Sequence, residues 1–220
     1  MMNRITFFID GWFMRKSIMQ AKTFEYTAKN IRRYCGLHLS RYPNRQLVRI
    51  FYYDTEPLMV RGHNPLTNKP IDFSKSDVAQ NQIALLEEIK GTPSMALRLG
   101  KTIWRDNGWV INPQKMRKLL QGEITVDDLE EKDIKPTIEQ KAVDMKIGID
   151  ITSYALKKLT DTLIVISGDA DIVPALKQAR REGLVVVLDP LRRHIQDDLK
   201  EHVDYLRTMF KEGTRLWQDR

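Results

Sequence analysis

The chain has 220 residues, of which 42% are hydrophobic and 30% charged, so its composition allows one ordinary domain with a sizeable core. No apolar run reaches the roughly 18 residues that a membrane-spanning helix needs. The N-terminus shows no export signal, and we therefore expect a cytoplasmic protein. With Cys35 as the single cysteine, an intrachain disulfide is excluded and a thiolate zinc site is not expected.

The net charge of +7 is concentrated in the first quarter of the chain. Residues 1–50 carry ten Lys and Arg against two acidic residues, whereas the other 170 residues carry 26 basic and 27 acidic groups. A segregated basic region attracts polyanions and favours phosphate contacts, although a solvated helix face has the same composition. The candidate nucleic-acid contacts are four arginines for phosphates and two tyrosines for stacking: Arg32, Arg33, Arg41, Arg45, Tyr34 and Tyr42.

The first half of the chain alternates strand and helix patterns. Residues 4–9 form a short apolar run that stops at Asp10-Gly11, as a buried strand does before a turn. The patterns that follow indicate helices at 12–20 and about 26–40, a strand at 47–53, an exposed loop at 55–76 and a helix at about 77–90.

The second half begins with two strand-like segments, MALRLGKTIW and WVINP, whose RDNG connection predicts a β-hairpin. The acidic stretch 123–133 is expected to be solvated. The remaining patterns indicate a helix at about 137–159, the strand TLIVIS, a helix at about 171–182, the strand LVVVLD and a last helix or two over 192–212.

Apolar strands that alternate with helices predict an α/β fold with a central parallel sheet flanked by helices, plus a small β-hairpin insertion. We expect a single domain over residues 1–212, with an inserted loop and hairpin at about 55–135. Residues 213–220 are expected to form a C-terminal tail that frays.

Two strand ends carry carboxylates. The first strand ends in Asp10, and the TLIVIS strand leads into Gly168, Asp169 and, two residues later, Asp171. Because ligands of an open parallel sheet bind outside the carboxyl ends of its strands, these side chains are expected at one edge. One of the two later aspartates could instead serve only to cap the helix that follows.

A further carboxylate, Asp144, lies in the helix predicted at 137–159. It stands at the edge of an apolar face that contains Ile147 and Ile151, where an unpaired charge is costly. Asp150 lies about 240° further round the helix and is the second choice. Three or four carboxylates without His or Cys favour Mg²⁺ or Mn²⁺, which would offset their mutual repulsion. Such a metal can activate water for phosphodiester hydrolysis.

Five segments of the chain resemble the NYN domain family, in the LabA/DUF88 branch of the PIN-like nucleases. They occur in family order: FFIDG (7–11), FYYD (51–54), ALRLG (96–100), QKAVDMKIGID (140–150) and LIVISGDADIVPAL (163–176). The resemblance implies a metal-dependent endoribonuclease that hydrolyses RNA. It also implies a metal-binding and catalytic cluster of Asp10, Asp144, Asp169 and Asp171, with Lys141 beside it as a substrate-binding residue.

The chain departs from the family at Phe13, which follows Trp12 where the family usually has Asn two places after the glycine of FIDG. An Asn there could orient the first aspartate or a metal-bound water, and Phe cannot make that hydrogen bond. Three interpretations of Phe13 stay open: a nuclease slowed by this loss, a substrate-binding platform for a base, or a core residue that packs the first helix onto the sheet.

Other functions remain to be weighed against the nuclease. A haloacid dehalogenase-type phosphatase needs Asp-x-Asp at the first strand end, where Phe8 stands two places before Asp10, and a Toprim-like site needs Glu at that end. The main alternative is a catalytically weak or inactive PIN-like module that binds RNA or regulates. The expected partners are RNA, single-stranded or structured, and a second copy of the chain in a homodimer.

Overall fold

In the computed structural model, which describes residues 2–211 and 213–217, the chain divides into two compact units. Unit 1 contains residues 1–54, 85–100 and 142–220, and unit 2 contains residues 55–84 and 101–141. The candidate aspartates all belong to unit 1.

The elements of the first half of the chain are β1 (Asn3–Asp10), α1 (Gly11–Ala21), α2 (Ala28–Leu39), β2 (Arg45–Thr55), β3 (Arg61–His63), β4 (Pro70–Asp72) and α3 (Asp77–Gly91). Those of the second half are β5 (Met95–Ile111), α4 (Pro113–Leu120), β6 (Ile134–Lys141), α5 (Val143–Leu156), β7 (Thr162–Ile166), α6 (Val173–Arg181), β8 (Val185–Asp189), α7 (Asp197–Glu201) and β9 (Tyr205–Leu206).

The main sheet has seven strands in the order β6-β5-β2-β1-β7-β8-β9. β1 pairs in parallel with β2 and β7, and β8 pairs in parallel with β7 and β9. The half of β5 that lies in unit 2 pairs antiparallel with β6. The predicted α/β class and the mostly parallel central sheet are therefore confirmed.

The core of unit 1 consists of two apolar layers, one on each face of the sheet. Successive residues of a strand point to opposite faces, so Phe7 and Ile9 pack with α1 and α2 while Phe8 packs with α5 and α6. The five residues of β7 are all buried because helices cover both faces. This explains why β1 and β7 are continuous apolar runs rather than alternating ones.

Unit 2 is built around a small aromatic group. The ring of Trp104 lies 5.2 Å from that of Phe73 and 5.9 Å from that of Trp109, and its Nε1 donates to the Gly108 carbonyl at 2.8 Å. β3 and β4 form a two-stranded antiparallel sheet in the same unit. The predicted small hairpin is thus present, within the segment that was expected to be a loop.

The prediction of a hairpin at RDNG was wrong in its location. β5 runs through these residues as one strand, and its pairing with β6 shifts between Trp104 and Trp109. Asp106 and Asn107 both have φ of 51°, so the left-handed preference of Asp and Asn is used in a bulge instead of a turn. The partner of β5 is β6, which short-range turn signals cannot reveal.

The helix predicted at about 137–159 was too long at its N-terminal end. Residues 134–141 form β6, and α5 begins at Val143 after Ala142, whose φ is 69°. Pro136 has no N–H to donate to a helix, and the β-branched Thr137 and Ile138 favour a strand. The predicted last helix over 192–212 is also shorter than expected, because only α7 is helical and β9 follows it.

Part of the predicted fraying tail packs on unit 1. The Leu216 N–H donates to the Thr23 carbonyl at 2.9 Å, and the Trp217 ring stacks on Phe24 with centroids 5.3 Å apart. Residues 218–220 lie outside the described residues. Within the described ranges, no helix combines the length and the apolar character that crossing a membrane requires.

Gly11 joins β1 to α1 at the point where α1 lies closest to β2. A Cβ added there would lie 2.5 Å from the Tyr52 ring and 2.6 Å from the Tyr53 carbonyl oxygen. The backbone oxygen cannot rotate away, so only glycine fits without a shift of α1. This contact fixes where the first turn of α1 begins.

We predict that Gly11→Ala lowers the free energy of unfolding by about 1–3 kcal/mol, because the new methyl group overpacks the junction of α1 and β2. The matched control is Gly36→Ala in α2, where an added Cβ meets nothing within 4 Å. That change should raise the stability by up to about 1 kcal/mol, since alanine is the better helix former. Urea unfolding of both variants measures the difference, and equal effects would contradict the close contact.

Candidate metal centre

Asp10 ends β1 and caps α1. Its backbone is extended, with φ −69° and ψ 105°, and its Oδ1 accepts a hydrogen bond from the Phe13 N–H at 3.0 Å. A carboxylate at a helix N-terminus is stabilised by the unpaired N–H groups of the first turn. The cap therefore fixes the direction of this half-buried side chain at the carboxyl end of the sheet.

Asp169 and Asp171 follow β7 at the same edge. The register pairs Ile9 with Ile166, which places the turn after β7 beside Asp10. Asp169 caps a short 3₁₀ turn with Oδ1, which accepts from the Asp171 N–H at 2.9 Å. Capping thus occupies one oxygen of Asp169, while Asp171 is exposed.

Asp144 stands in the first turn of α5 and interacts electrostatically with both of these residues. Burial raises the pKa of Asp144, and the carboxylates of Asp169 and Asp171 raise it further. The helix N-terminus that α5 supplies favours negative charge at this position. The structure therefore brings Asp144 to the same edge as the residues after β7.

The pKa of Asp10 reflects electrostatic interactions with both Asp144 and Asp169. This pKa is raised from its ordinary value of 3.8 to about 6, chiefly by burial, and the Phe13 N–H opposes the change. The carboxylates of Asp144, Asp169 and Asp54 contribute smaller parts of the rise. Like charges this close disfavour the ionised form, so the predicted aspartates form one coupled acidic cluster in unit 1.

Asp54 is a cluster residue that the sequence reasoning missed. It lies near the end of β2, directly after Tyr53, which pairs with Asp10. Its buried carboxylate forms an ion pair with Arg15 of α1. The signal was available, because Asp54 is a carboxylate at the carboxyl end of a parallel strand, as Asp10 is.

Asp150, the second choice for α5, belongs to a different group. Its Oδ2 accepts from the Tyr53 hydroxyl at 2.8 Å and from Arg98 Nε at 3.2 Å. The ion pair compensates its charge, and Asp150 is absent from the interactions that raise the pKa of Asp10 and Asp144. The preference for Asp144 agrees with this geometry.

The donor chemistry of the acidic cluster fits a hard divalent cation. Its side chains offer oxygen ligands only, and a cation between them would favour the ionised carboxylates that burial and mutual repulsion disfavour. Within residues 2–211 and 213–217, one group of three potential metal ligands has its ligand atoms all within 4.8 Å of one another. It consists of Asp198 and Glu201 of the five-residue α7 and of His202, which follows α7. The predicted aspartates do not meet that spacing.

Phe13 packs inside unit 1. A Cβ added to Gly168 would lie 2.5 Å from the Phe13 ring, so the ring lies directly on the backbone of the turn before Asp169. The side chain is half-buried against the core layer of α1. These contacts favour the packing interpretation of Phe13. Its neighbour Trp12 is 49% exposed, with Lys16 Nζ 4.7 Å above the ring.

Two of the predicted basic residues, Arg41 and Arg45, lie apart from the aspartates. Arg45 begins β2 and pairs with Asn3, whereas Asp10 ends β1, so the strand separates the two ends by about 23 Å. Arg41 is exposed in the turn that precedes β2. The structure therefore does not bring these two arginines to the acidic cluster.

The other predicted RNA contacts lie on α2 and at the end of β6. Arg32 and Arg33 are exposed on α2, and Arg33 lies over the Trp217 ring at 4.5 Å. Tyr34 is fully buried and donates its hydroxyl proton to Asp189 at 2.6 Å, so its predicted stacking on RNA was wrong. Lys141 ends β6 in unit 2, with Nζ 3.6 Å from Glu139 and the side chain 58% exposed.

Comparison with known families gives one match. The NYN domain family matches residues 84–209, which is more than half of the chain. The matched part contains Asp144, Asp169 and Asp171, whereas Asp10 and Asp54 precede it. The search of curated proteins returned no match.

We predict that Asp10→Asn stabilises the metal-free protein at pH 7.5. Asparagine keeps the cap on Phe13 and removes a charge that the folded state disfavours. The pKa of Asp10 is higher in the folded chain, about 6, than its ordinary 3.8, so the wild type loses stability as the pH rises through this interval. The gain should approach about 3 kcal/mol above pH 7 and vanish near pH 4.

The matched control is Asp54→Asn, which removes the carboxylate partner of the half-buried Arg15. Breaking a fully buried ion pair costs about 3–5 kcal/mol, so this variant should be less stable at pH 7.5, by less than that because Arg15 keeps some contact with solvent. Thermal unfolding in EDTA at pH 4 and pH 7.5 measures both variants. A wild type as stable as Asp10→Asn at pH 7.5 would show that the folded chain does not disfavour the ionised Asp10.

Proposed function

The chain belongs to the NYN domain family, within the PIN-like nuclease superfamily, and we propose that it is a metal-dependent ribonuclease that hydrolyses RNA phosphodiester bonds. The observation that carries this proposal is the electrostatic coupling of Asp10 to Asp144 and Asp169, which come from three separate segments. Members of the family are generally nucleases that act on RNA. Placement in the LabA/DUF88 branch, endonucleolytic action and a cytoplasmic location stay predictions.

The acidic cluster contains the residues that would hold Mg²⁺ or Mn²⁺: Asp10, Asp144, Asp169 and Asp171. Bound there, the cation would lower the pKa of an attacking water and stabilise charge on the leaving oxygen. The protein supplies the positions of the ligands. The Phe13 N–H holds one oxygen of Asp10, and the Asp171 N–H holds one oxygen of Asp169, which leaves the second oxygen of each for the cation.

Arg15 and Asp54 act as positioning residues for the acidic cluster. Their ion pair ties α1 to the end of β2, one residue beyond the partner of Asp10. The guanidinium also places a positive charge near carboxylates that would otherwise only repel. Arg15 therefore supports the site without being a ligand.

The direct test is cleavage of a single-stranded RNA by the purified chain with Mn²⁺. We expect hydrolysis that EDTA abolishes and that Asp169→Asn lowers by at least about 100-fold, because a metal ligand is lost. The matched control is Asp150→Asn, an identical chemical change in the Tyr53 and Arg98 pair, which should keep activity. Equal rates in wild type and Asp169→Asn, or RNA binding without cleavage, would contradict the nuclease; the latter leaves an RNA-binding module.

The basic residues supply RNA contacts away from the scissile phosphate in this proposal. Arg41 and Arg45 lie at the opposite end of β2 from the acidic cluster, so a strand that contacts both must span several nucleotides. Arg32, Arg33 and Lys141 are exposed and could contact further phosphates. Their contribution would be electrostatic and independent of base sequence.

We predict that Arg41→Ala with Arg45→Ala weakens binding of an RNA of about 20 nucleotides and lowers its salt slope by about one unit per lost contact. A tetranucleotide cannot span the distance, and its affinity at the acidic cluster should not change. Lys157→Ala with Lys177→Ala removes two exposed charges from the balanced part of the chain and serves as the control. If this control lowers the slope equally, general charge rather than a located surface binds the RNA.

A further inference from the structure

A groove runs along unit 1 between α5 and α6, beginning at two members of the acidic cluster. Its volume is about 720 Å³, within the range of pockets that hold small organic groups. Asp144 and Asp171 line it together with Met145, Ile149, Thr152 and Gln178, among others. Any ligand held at the cluster therefore has this groove next to it.

The lining of the groove away from the two aspartates is uncharged. Met145 is 69% exposed and Ile149 57% exposed, which is unusual for large apolar side chains that stand side by side on one helix turn. Thr152 adds a hydroxyl. Gln178 donates its amide N–H to Glu182 Oε1 at 3.0 Å, and its side-chain carbonyl oxygen is a hydrogen-bond acceptor.

These features select one part of an RNA strand. Away from Asp144 and Asp171 the lining of the groove contains no Lys or Arg, so a phosphate would gain no ion pair along this part of it. A nucleobase is flat and apolar on its faces and carries donors and acceptors on its edges. Apolar side chains with a hydroxyl and an amide oxygen match that combination.

We propose that the groove between α5 and α6 binds one unstacked base of single-stranded RNA, adjacent to the phosphate held at the acidic cluster. The inference rests on the proposed ribonuclease function and adds a subsite for one base next to the acidic cluster. Met145 and Ile149 contact the base faces, and Thr152 and Gln178 contact its edge and discriminate between bases. Paired RNA cannot place a base there without unstacking it.

The test is methyl NMR of the full chain labelled at methionine, with Asp169→Asn introduced so that the RNA is not cut. A single-stranded hexanucleotide with Mg²⁺ should shift the Met145 methyl signal, assigned through Met145→Leu. The methyl signals of Met19 and Met59, which are 63% and 57% exposed and lie outside the groove, should not shift. The same sequence in a duplex should leave Met145 unchanged.

A matched pair of variants gives a second measurement. Ile149→Glu places a carboxylate in the groove and should weaken binding of the hexanucleotide by roughly 10-fold, as for the loss of one base contact. Leu156→Glu makes the same change on α5 at 55% exposure, outside the lining, and should have little effect. Because both readouts are binding, they stand whether or not the chain cleaves RNA.

Three outcomes would overturn the proposal. The first is a Met145 signal that RNA does not move. The second is a signal that moves with protein concentration alone, which would make the groove an interface between copies of the chain. The third is equal weakening by Ile149→Glu and Leu156→Glu, which would show that added negative charge anywhere on α5 repels RNA. If RNA shifts the Met145 signal but the chain never cleaves RNA, the proposal for the groove stands and the proposed nuclease activity is wrong.

Discussion

The parallel pairing of β1 with both β2 and β7 is the constraint on which the candidate site depends. It brings the carboxyl ends of three strands to one edge, and each end carries an aspartate: Asp10, Asp54 and Asp169. Burial of Asp10, helped by the carboxylates of Asp54, Asp144 and Asp169, raises its pKa to about 6. The fold therefore holds together charges that repel, as expected where function outweighs local stability.

The structure compensates the negative charge of one carboxylate of the acidic cluster and leaves the charges of the others uncompensated. Arg15 pairs with Asp54, and backbone N–H groups take one oxygen of Asp10 and one of Asp169. In contrast, Asp150 of α5 accepts hydrogen bonds from Tyr53 and Arg98. Whether the carboxylates have partners that compensate their charge, more than the number of aspartates, distinguishes a candidate cation site from an ordinary ion pair.

How much the sequence predicted depends on the range of each interaction. β7, α6 and β8 followed from local periodicity, and Asp10, Asp144 and Asp169 followed from strand ends and one apolar helix face. β6 was missed because its partner β5 is distant in sequence. The strand end at Asp54 was readable in the sequence and was overlooked, whereas its ion pair with Arg15 joins residues 39 apart and was not readable. The separation of Arg45 from the acidic cluster depends on strand register, which composition does not contain.

The central claim is that Asp10, Asp144 and Asp169 form one cation-binding group, and the titration of the Asp10 carboxyl tests it most directly. Carbon-13 NMR of the carboxyl signal, assigned through Asp10→Asn, gives its pKa without and with saturating Mg²⁺. The account predicts about 6 in metal-free protein and a lower pKa with Mg²⁺, because a bound cation favours the ionised form. A pKa near the ordinary 3.8 that Mg²⁺ does not change would contradict it.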